Sequence, residues 1–193
     1  MNHQDYRRIS INLLPAVLTA TVLATTLVVP SFAAPKFGID NISYGGSGCP
    51  QGSVDLRFSP NGQTVTIQTN QFIADGNTSR QRRKSCNLTI PIQVPSGYQV
   101  AIRNADYRGY VSPRTEGNLR TEYFFAGERG PVFSRRLRSG NYRVRHNPTA
   151  RTNLWSRCGD SVNMRVNASV TANGQGIARV EQMALNMAWR RCR

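Results

Sequence analysis

This sequence of 193 residues contains few histidines and no spacing typical of a metal site. It contains two histidines and four cysteines, and no two cysteines lie close enough for the paired spacing of a zinc site. No calcium-loop pattern and no acid-rich loop offers a set of oxygen ligands. The sequence therefore predicts no bound metal and no cofactor.

Catalytic motifs are equally few. No serine stands in the G-x-S-x-G pattern of a nucleophile elbow. We interpret His146, which has no second histidine after the leader, as a surface or loop residue rather than a general base. Glycoside hydrolysis needs two facing carboxylates, and the best pairs are Asp106 with Glu122 or Glu116 with Glu122. We predict that the protein is not an enzyme; the alternative is an extracellular polysaccharide hydrolase that uses Asp106 or Glu122.

Long apolar runs are limited to one, over residues 9–29, which follows Arg7 and Arg8. The run ends in "VPSFAAPKF", where Ser31 and Ala33 fit the small-x-small rule of signal peptidase. This pattern favours a signal peptide over residues 1–33 rather than a retained anchor. Residues 34–193 are then a single secreted domain, extracellular or periplasmic, with no integral membrane segment after cleavage.

All four cysteines lie after the predicted cleavage site. An even number of cysteines in an exported chain indicates disulfides rather than free thiols. Three pairings are possible, and the order along the chain favours Cys49–Cys86 together with Cys158–Cys192.

Arginine dominates the charge of the chain. There are 25 basic and 10 acidic residues, a net charge of +15, and only Lys36 and Lys84 are lysines. Arginine clusters over residues 80–84, 134–146 and 189–193, and its planar fork suits phosphate, sulfate and carboxylate groups. The predicted ligand contacts are Tyr107, Arg108, Tyr110, Arg135, Arg136, Arg138, Arg143 and Arg145.

Such a set of residues predicts an anion-binding face, with an acidic polysaccharide or a cell-envelope surface as its partner. Two other interpretations stay open: a solvated basic surface without a dedicated ligand, and a structural wall or matrix protein. A dedicated nucleic-acid partner is not predicted, since the chain is exported and has no known nucleic-acid motif.

Short alternating segments with turns between them predict an all-β fold, an antiparallel β-sandwich that is jelly-roll-like and has two disulfides. "SVDLRF" and "QTVTIQT" flank the turn "SPNG" and predict a hairpin. Pro91 places "NLTIPIQV" at a sheet edge or a bulge. The last segment fits a strand or a helix, and pairing with "SVNMRVNASVTA" across "NGQG" favours a strand. Residues 112–150 read as long loops around one strand, "EYFFA".

The stretch "NADYRGYV", residues 104–111, concentrates polar chemistry on one predicted strand. Asp106, Arg108 and Tyr110 would project to one face, and Tyr107 and Gly109 to the other. We expect Asp106 and Arg108 to pair, which argues against an acid–base role for the carboxylate. Gly109 predicts a bulge or a close approach by a neighbouring strand.

Several of these segments also occur, in the same order, in one known family. They are "GSGCPQGSV" (46–54), "RKSCNLTIPIQVPSGYQVAI" (83–102), "DYRGYV" (106–111), "EYFFAG" (122–127), "CG" (158–159) and "WRRC" (189–192). The chain resembles the secreted family known as domain of unknown function four-three-six-zero, found in filamentous fungi and bacteria. The resemblance implies a small secreted β-sandwich with the sequential disulfide pairing, and it implies no activity. The arginine content of residues 129–151 departs from the family.

Overall fold

Two six-stranded antiparallel sheets face each other in the computed structural model, which describes residues 37–192. The first sheet contains β1 (Gly38–Ile39), β2 (Ser43–Gly45), β6 (Arg83–Gln93), β8 (Thr115–Phe125), β9 (Val132–Leu137) and β11 (Val162–Gly174). The second contains β3 (Val54–Phe58), β4 (Thr64–Thr69), β5 (Ile73–Asp75), β7 (Tyr98–Val111), β10 (Gly140–His146) and β12 (Ile177–Arg191). A short helix, α1, covers Pro148–Arg151. The predicted antiparallel β-sandwich is confirmed.

Strand order places two edge strands at one corner of the sandwich. The first sheet runs β1-β6-β11-β8-β9, with β2 also on β6, and the second runs β10-β7-β12-β4-β3, with β5 also on β12. The edge strands β9 and β10 follow each other in the chain, so the polypeptide crosses from one sheet to the other between them. This crossing determines the position of the candidate site.

The core follows the period-two alternation of the strands. Residues at alternate positions point between the sheets and are buried, while their neighbours face solvent. Each buried Leu, Ile or Met side chain contributes about 1.5–3 kcal/mol relative to an exposed one. The largest fully buried aliphatic and sulfur-containing side chains include Ile67, Ile90, Ile102, Leu119, Met164 and Met183.

The predicted hairpin is confirmed as β3 and β4. The amide of Gly62 donates to the carbonyl of Ser59 at 2.8 Å, which closes the turn. Gly62 has a φ of +66°, a value that favours glycine.

The last segment is a strand, β12, as predicted, but its predicted pairing with β11 is wrong. β12 pairs with β7, β4 and β5, while β11 pairs with β6 and β8 in the opposite sheet. The short connection at residues 175–176 turns the chain across the sandwich instead of closing a hairpin.

Residues 112–150 contain three strands, β8, β9 and β10, so the prediction of long loops around one strand is wrong. The outer positions of these strands carry arginine, glutamate and asparagine. Their inner positions include glycine, threonine and histidine as well as apolar residues, which weakened the alternation that a strand normally shows.

Pro91 lies on a strand that has neighbours on both sides. Its carbonyl accepts from the amide of Asp40, so its missing amide donor faces the same side of β6. β1 pairs with residues 92–93 and β2 with residues 87–89, which leaves Pro91 opposite the break between these two short strands. The predicted edge or bulge is thus a gap in the neighbouring strand.

Both predicted disulfides are present, Cys49–Cys86 and Cys158–Cys192. The first is fully buried and fixes the segment before β3 to β6, and the second holds the end of β12. The predicted signal peptide, residues 1–33, lies outside the described residues. Across residues 37–192, none of the helices has the length and apolar character needed to cross a membrane.

Candidate functional site

The stretch "NADYRGYV" forms most of β7. Asp106, Arg108 and Tyr110 face outward as predicted, and Tyr107 faces the core. Tyr107 is completely buried, and its hydroxyl lies 2.8 Å from the hydroxyl of Tyr123. The prediction that Tyr107 contacts a ligand is therefore wrong, because no ligand at the surface can reach it.

Asp106 pairs with strand β10 rather than with Arg108, which corrects the predicted pair. Arg145 lies opposite Asp106 in the ladder and donates to both carboxylate oxygens, at 2.9 and 3.0 Å. Arg143 lies 3.5 Å from the same carboxylate. The hydrogen bond and the charge of Asp106 raise the pKa of Arg145. Both oxygens of the Asp106 carboxylate are thus engaged by guanidinium groups, in line with the structural interpretation of this strand.

Replacing Asp106 with asparagine should destabilise the fold by about 1.5–3 kcal/mol, because charge-assisted bonds to a buried carboxylate are lost. Asp106 is 7% exposed. The measurement is urea unfolding followed by circular dichroism. Asp55→Asn is the matched control, since its pair with Arg57 is exposed and should contribute less than about 1 kcal/mol. Equal effects of the two variants would contradict a structural role for Asp106.

Gly109 is confirmed as a site of close approach. A Cβ at this position would lie 2.0 Å from the carbonyl oxygen of Arg179 and 2.6 Å from the hydroxyl of Tyr142. The ladder shifts register between Val180 and Gln182, opposite Gly109. Tyr142 crosses this gap and donates to the Arg179 carbonyl at 2.8 Å. Any side chain at position 109 would displace that bond.

Five of the predicted ligand residues come together at the corner between β9 and β10. Both strands are sheet edges, so their side chains flank an open groove of about 280 Å³. We call this the arginine groove. Leu137, Tyr142 and Val144 supply its apolar part, and its guanidinium groups belong to Arg135, Arg136, Arg138, Arg143 and Arg145.

The arginine groove carries an excess of positive charge. Arg136 pairs with Glu116 at 3.0 Å, and Arg143 and Arg145 share Asp106. Arg135 and Arg138 are exposed and have no ion pair within residues 37–192. The groove therefore has five guanidinium groups and two carboxylates that pair with them. Its net charge is about +3.

The remaining predicted contacts lie elsewhere. Arg108 lines a different groove, on the outer face of the second sheet. The Arg179 guanidinium lies 5.4 Å from the ring centroid of Tyr110. The two other arginine clusters do not reach the arginine groove either: residues 80–84 lead into β6, and Arg190 packs 4.1 Å over the ring of Trp155.

The carboxylate pairs proposed for hydrolysis do not converge. Asp106 projects from the outer face of the second sheet and Glu122 from the outer face of the first, so the sandwich lies between them. Glu116 and Glu122 share a face of β8 but are six residues apart, or about 20 Å. Glycosidase carboxylates lie roughly 5 to 9.5 Å apart. Neither pair therefore has the geometry of a glycosidase site.

His146 is buried in β10, which corrects its interpretation as a surface or loop histidine. It is 4% exposed, and its Nδ1 lies 2.8 Å from Thr121 Oγ1 and 3.1 Å from the Tyr123 hydroxyl. The ring of Phe133 stacks on it with centroids 4.6 Å apart. Burial raises the pKa of Tyr123. The sequence did contain a signal for this burial. His146 lies two positions after the apolar Val144, and alternate positions of a strand share a face.

No group of three or more histidine, cysteine or acidic side chains suited to a metal ion occurs in residues 37–192. The site is thus defined by its guanidinium groups and by its place at the sandwich corner.

Comparison with known proteins assigns the chain to a family. Residues 35–192 match the model of the domain of unknown function DUF4360. The chain belongs to this family. One relative of this chain is an uncharacterised secreted protein of Arthroderma benhamiae. It is 28% identical over 177 residues, and the match covers 81% of this chain and 72% of that protein. Secretion, predicted from the leader and the cysteines, agrees with this relative and with the two disulfides.

Among solved structures, the DUF4360 chain is similar to two carbohydrate-binding modules. One is the family 11 module of Clostridium thermocellum in complex with a mixed-linked tetrasaccharide, at 10% identity over 78% of this chain and 88% of that chain, with a TM-score of 0.28. The other is a xylan-binding module, at 13% identity over 80% and 98% of the two chains, also with a TM-score of 0.28. Likenesses this distant carry no argument about a ligand.

Proposed function

We propose that the protein is a secreted, non-enzymatic binding module that holds an acidic polysaccharide in the arginine groove. The observation that carries the proposal is that five arginines line one concavity at the sandwich corner. The ligand class is a polymer that bears carboxylate or sulfate groups, as in the matrix or envelope around a secreting cell.

Electrostatics supports an anionic ligand. Arg135 and Arg138 have no ion pair among the described residues, so their charges are available without first breaking a contact. Each guanidinium can donate two parallel hydrogen bonds to a carboxylate or sulfate. Ion pairs with Asp106 and Glu116 restrain the side chains of the other three arginines, which limits the rotamer entropy lost on binding.

Shape supports a polymer rather than a small anion. The groove is open and follows two edge strands instead of forming an enclosed pocket. An extended chain can lie along such a corner and present successive anionic groups to Arg135, Arg138 and Arg143. A small anion would meet only one or two of these groups at once.

Substituting Arg135 and Arg138 together with alanine should weaken binding to a polyuronate at least tenfold. It should also lower the slope of log affinity against log salt by roughly two, because two charged contacts are removed. The measurement is isothermal titration or affinity electrophoresis over a range of sodium chloride concentrations.

The matched control is Arg129→Ala with Arg165→Ala, which removes the same charge from exposed positions outside the groove. Neutral dextran controls for adsorption that does not depend on charge, and dextran sulfate separates sulfate from carboxylate preference. Equal losses in the two double variants would mean that only the net charge matters, and absence of polyuronate binding at low salt would reject the proposal.

A further inference from the structure

A second concavity lies on the outer face of the second sheet, and its Arg108 is opposite Arg143 of the arginine groove in the β7–β10 ladder. It has a volume of about 620 Å³ and opens over β3, β4, β7 and β12. Its charged and amide side chains are Asp55, Gln68, Asn70, Arg108, Glu181 and Gln182.

Four of these side chains form one row across the sheet. Arg108 lies opposite Gln182, Gln182 opposite Gln68, and Gln68 opposite Asp55, on four adjacent strands. We call these four residues the polar row. Neighbouring strands are about 4.8 Å apart, so the row places one hydrogen-bonding group at each such interval over roughly 14 Å.

Three of the four side chains in the polar row are not committed to contacts with other described residues. The side chains of Arg108, Gln68 and Gln182 make no hydrogen bond or ion pair to any residue in the range 37–192. Two other glutamines are engaged within the fold: Gln99 donates to the carbonyl of Ser156 at 2.7 Å, and Gln93 donates to Asp40. Long side chains on an outer face that remain available for bonding are the groups that a ligand can use.

The bulge in β12 adds an acceptor beside the row. The register shift between Val180 and Gln182 leaves Glu181 unpaired in the ladder, and its side chain lines the groove. One of its carboxylate oxygens bonds to Arg179 at 2.6 Å, and the other remains open. Asp55 is similar, since only its Oδ2 bonds to Arg57.

The chemistry of this groove differs from that of the arginine groove. Asp55 pairs with Arg57 and Glu181 with Arg179, so its lining keeps one unpaired charge, that of Arg108, against about three in the arginine groove. Carboxylates accept, guanidinium groups donate, and amides do both. A ligand that carries many hydroxyl groups can satisfy such a mixture, because each hydroxyl both donates and accepts.

From this arrangement we infer that the polar row is a second binding site, which takes an uncharged polyhydroxylated chain, that is, a neutral polysaccharide. The inference stands apart from the arginine groove, since it rests on different residues and on hydrogen-bonding groups rather than on charge. A protein with both sites would contact a neutral polymer through one sheet face and an acidic polymer through one sandwich corner.

The test is affinity electrophoresis of the secreted protein in gels that contain a neutral β-glucan, xylan, mannan or galactan. We expect at least one polymer to retard the protein equally at low and high salt. Gln68→Ala combined with Gln182→Ala should abolish at least nine-tenths of that retardation. Gln71→Ala combined with Gln81→Ala, two exposed glutamines outside the groove, should not change it.

The variants test the two binding sites independently. Arg135→Ala with Arg138→Ala should leave neutral-polymer retardation intact, while the Gln68 and Gln182 variant should keep its affinity for polyuronate. Thermal unfolding of each variant checks that the fold persists. Lack of retardation by all four neutral polymers would overturn the inference, and so would equal retardation of the wild type and the Gln68 and Gln182 variant.

Discussion

Above about pH 10 the protein is expected to lose stability steeply, because three tyrosines are held in their neutral form by the fold. Desolvation raises the pKa of Tyr107, Tyr123 and Tyr142 above the ordinary value of 10.0. Nearby Tyr123 adds to the effect at Tyr107, and the charge of Glu181 adds to it at Tyr142. In the unfolded chain all three ionise near pH 10.

The sign follows from proton linkage. Above pH 10 the folded protein binds more protons than the unfolded chain, so stability is complete below pH 10 and falls as the pH rises toward the folded pKa values. Each tyrosine costs about 1.4 kcal/mol per pH unit in this interval, or about 4 kcal/mol per unit for the three together. Total stabilities are about 5–15 kcal/mol, so we expect unfolding roughly one to four pH units above 10.

The measurement is a pH titration that follows tyrosinate absorbance and circular dichroism together. The absorbance of these three desolvated tyrosines should appear only with the loss of the folded signal. Tyr142→Phe should reduce the pH dependence by about one third, because it removes one of the three groups. Reversible ionisation of every tyrosine in the folded protein would contradict the burial of the Tyr107–Tyr123 pair.

Removing the Cys49–Cys86 disulfide with alanine at both positions should cost about 4 kcal/mol or more. The disulfide joins residues that are 37 positions apart in the chain. In the chain-entropy model, closing a loop of this size stabilises the fold by about 4 kcal/mol. Both cysteines are completely buried, so the variant also leaves a cavity in the core. Urea unfolding under oxidising conditions measures the loss.

The second disulfide is a matched comparison. Cys158 and Cys192 are 34 positions apart, so the loop-closure contribution is nearly the same, but Cys158 is exposed. Alanine at these two positions should therefore destabilise the protein less than alanine at the buried pair. A loss below about 1 kcal/mol for the buried pair would show that this cross-link does not stabilise the fold.

Strand identity was readable from the sequence wherever one strand face is purely apolar. β3, β4, β6 and β11 alternate clearly, and each was predicted. β9 and β10 were missed because arginine occupies most of their exposed positions and histidine one of their buried positions. His146 occupies a core position because Thr121 and Tyr123 offer it hydrogen bonds, and such partners come from a distant part of the chain.

The order of the strands along the chain did not predict which sheet each strand belongs to. Strands joined by short connections normally pair, which led to the wrong pairing of β11 with β12. In this fold β9 to β10 and β11 to β12 cross between the sheets instead. Whether a short connection closes a hairpin or crosses to the other sheet depends on the packing of both sheets. The period-two pattern of the strands is the same in both cases.

The arginine groove could be predicted because its residues are neighbours in the chain. Residues 134–146 contribute all five guanidinium groups, so a cluster in the sequence became a cluster in space. The polar row had no such signal, because its four residues come from four strands between positions 55 and 182. Only the ladder register brings them together, and a single sequence does not specify register across non-adjacent strands.

The central claim, that the arginine groove binds an acidic polysaccharide, is tested most directly by mapping amide chemical shifts during titration with an oligouronate. Binding in the groove predicts the largest shifts over residues 135–145, with little change at residues 80–84 or 189–192. These shifts should disappear in the Arg135→Ala, Arg138→Ala variant. Shifts spread evenly over all three arginine clusters, or confined to residues outside 135–145, would contradict the account.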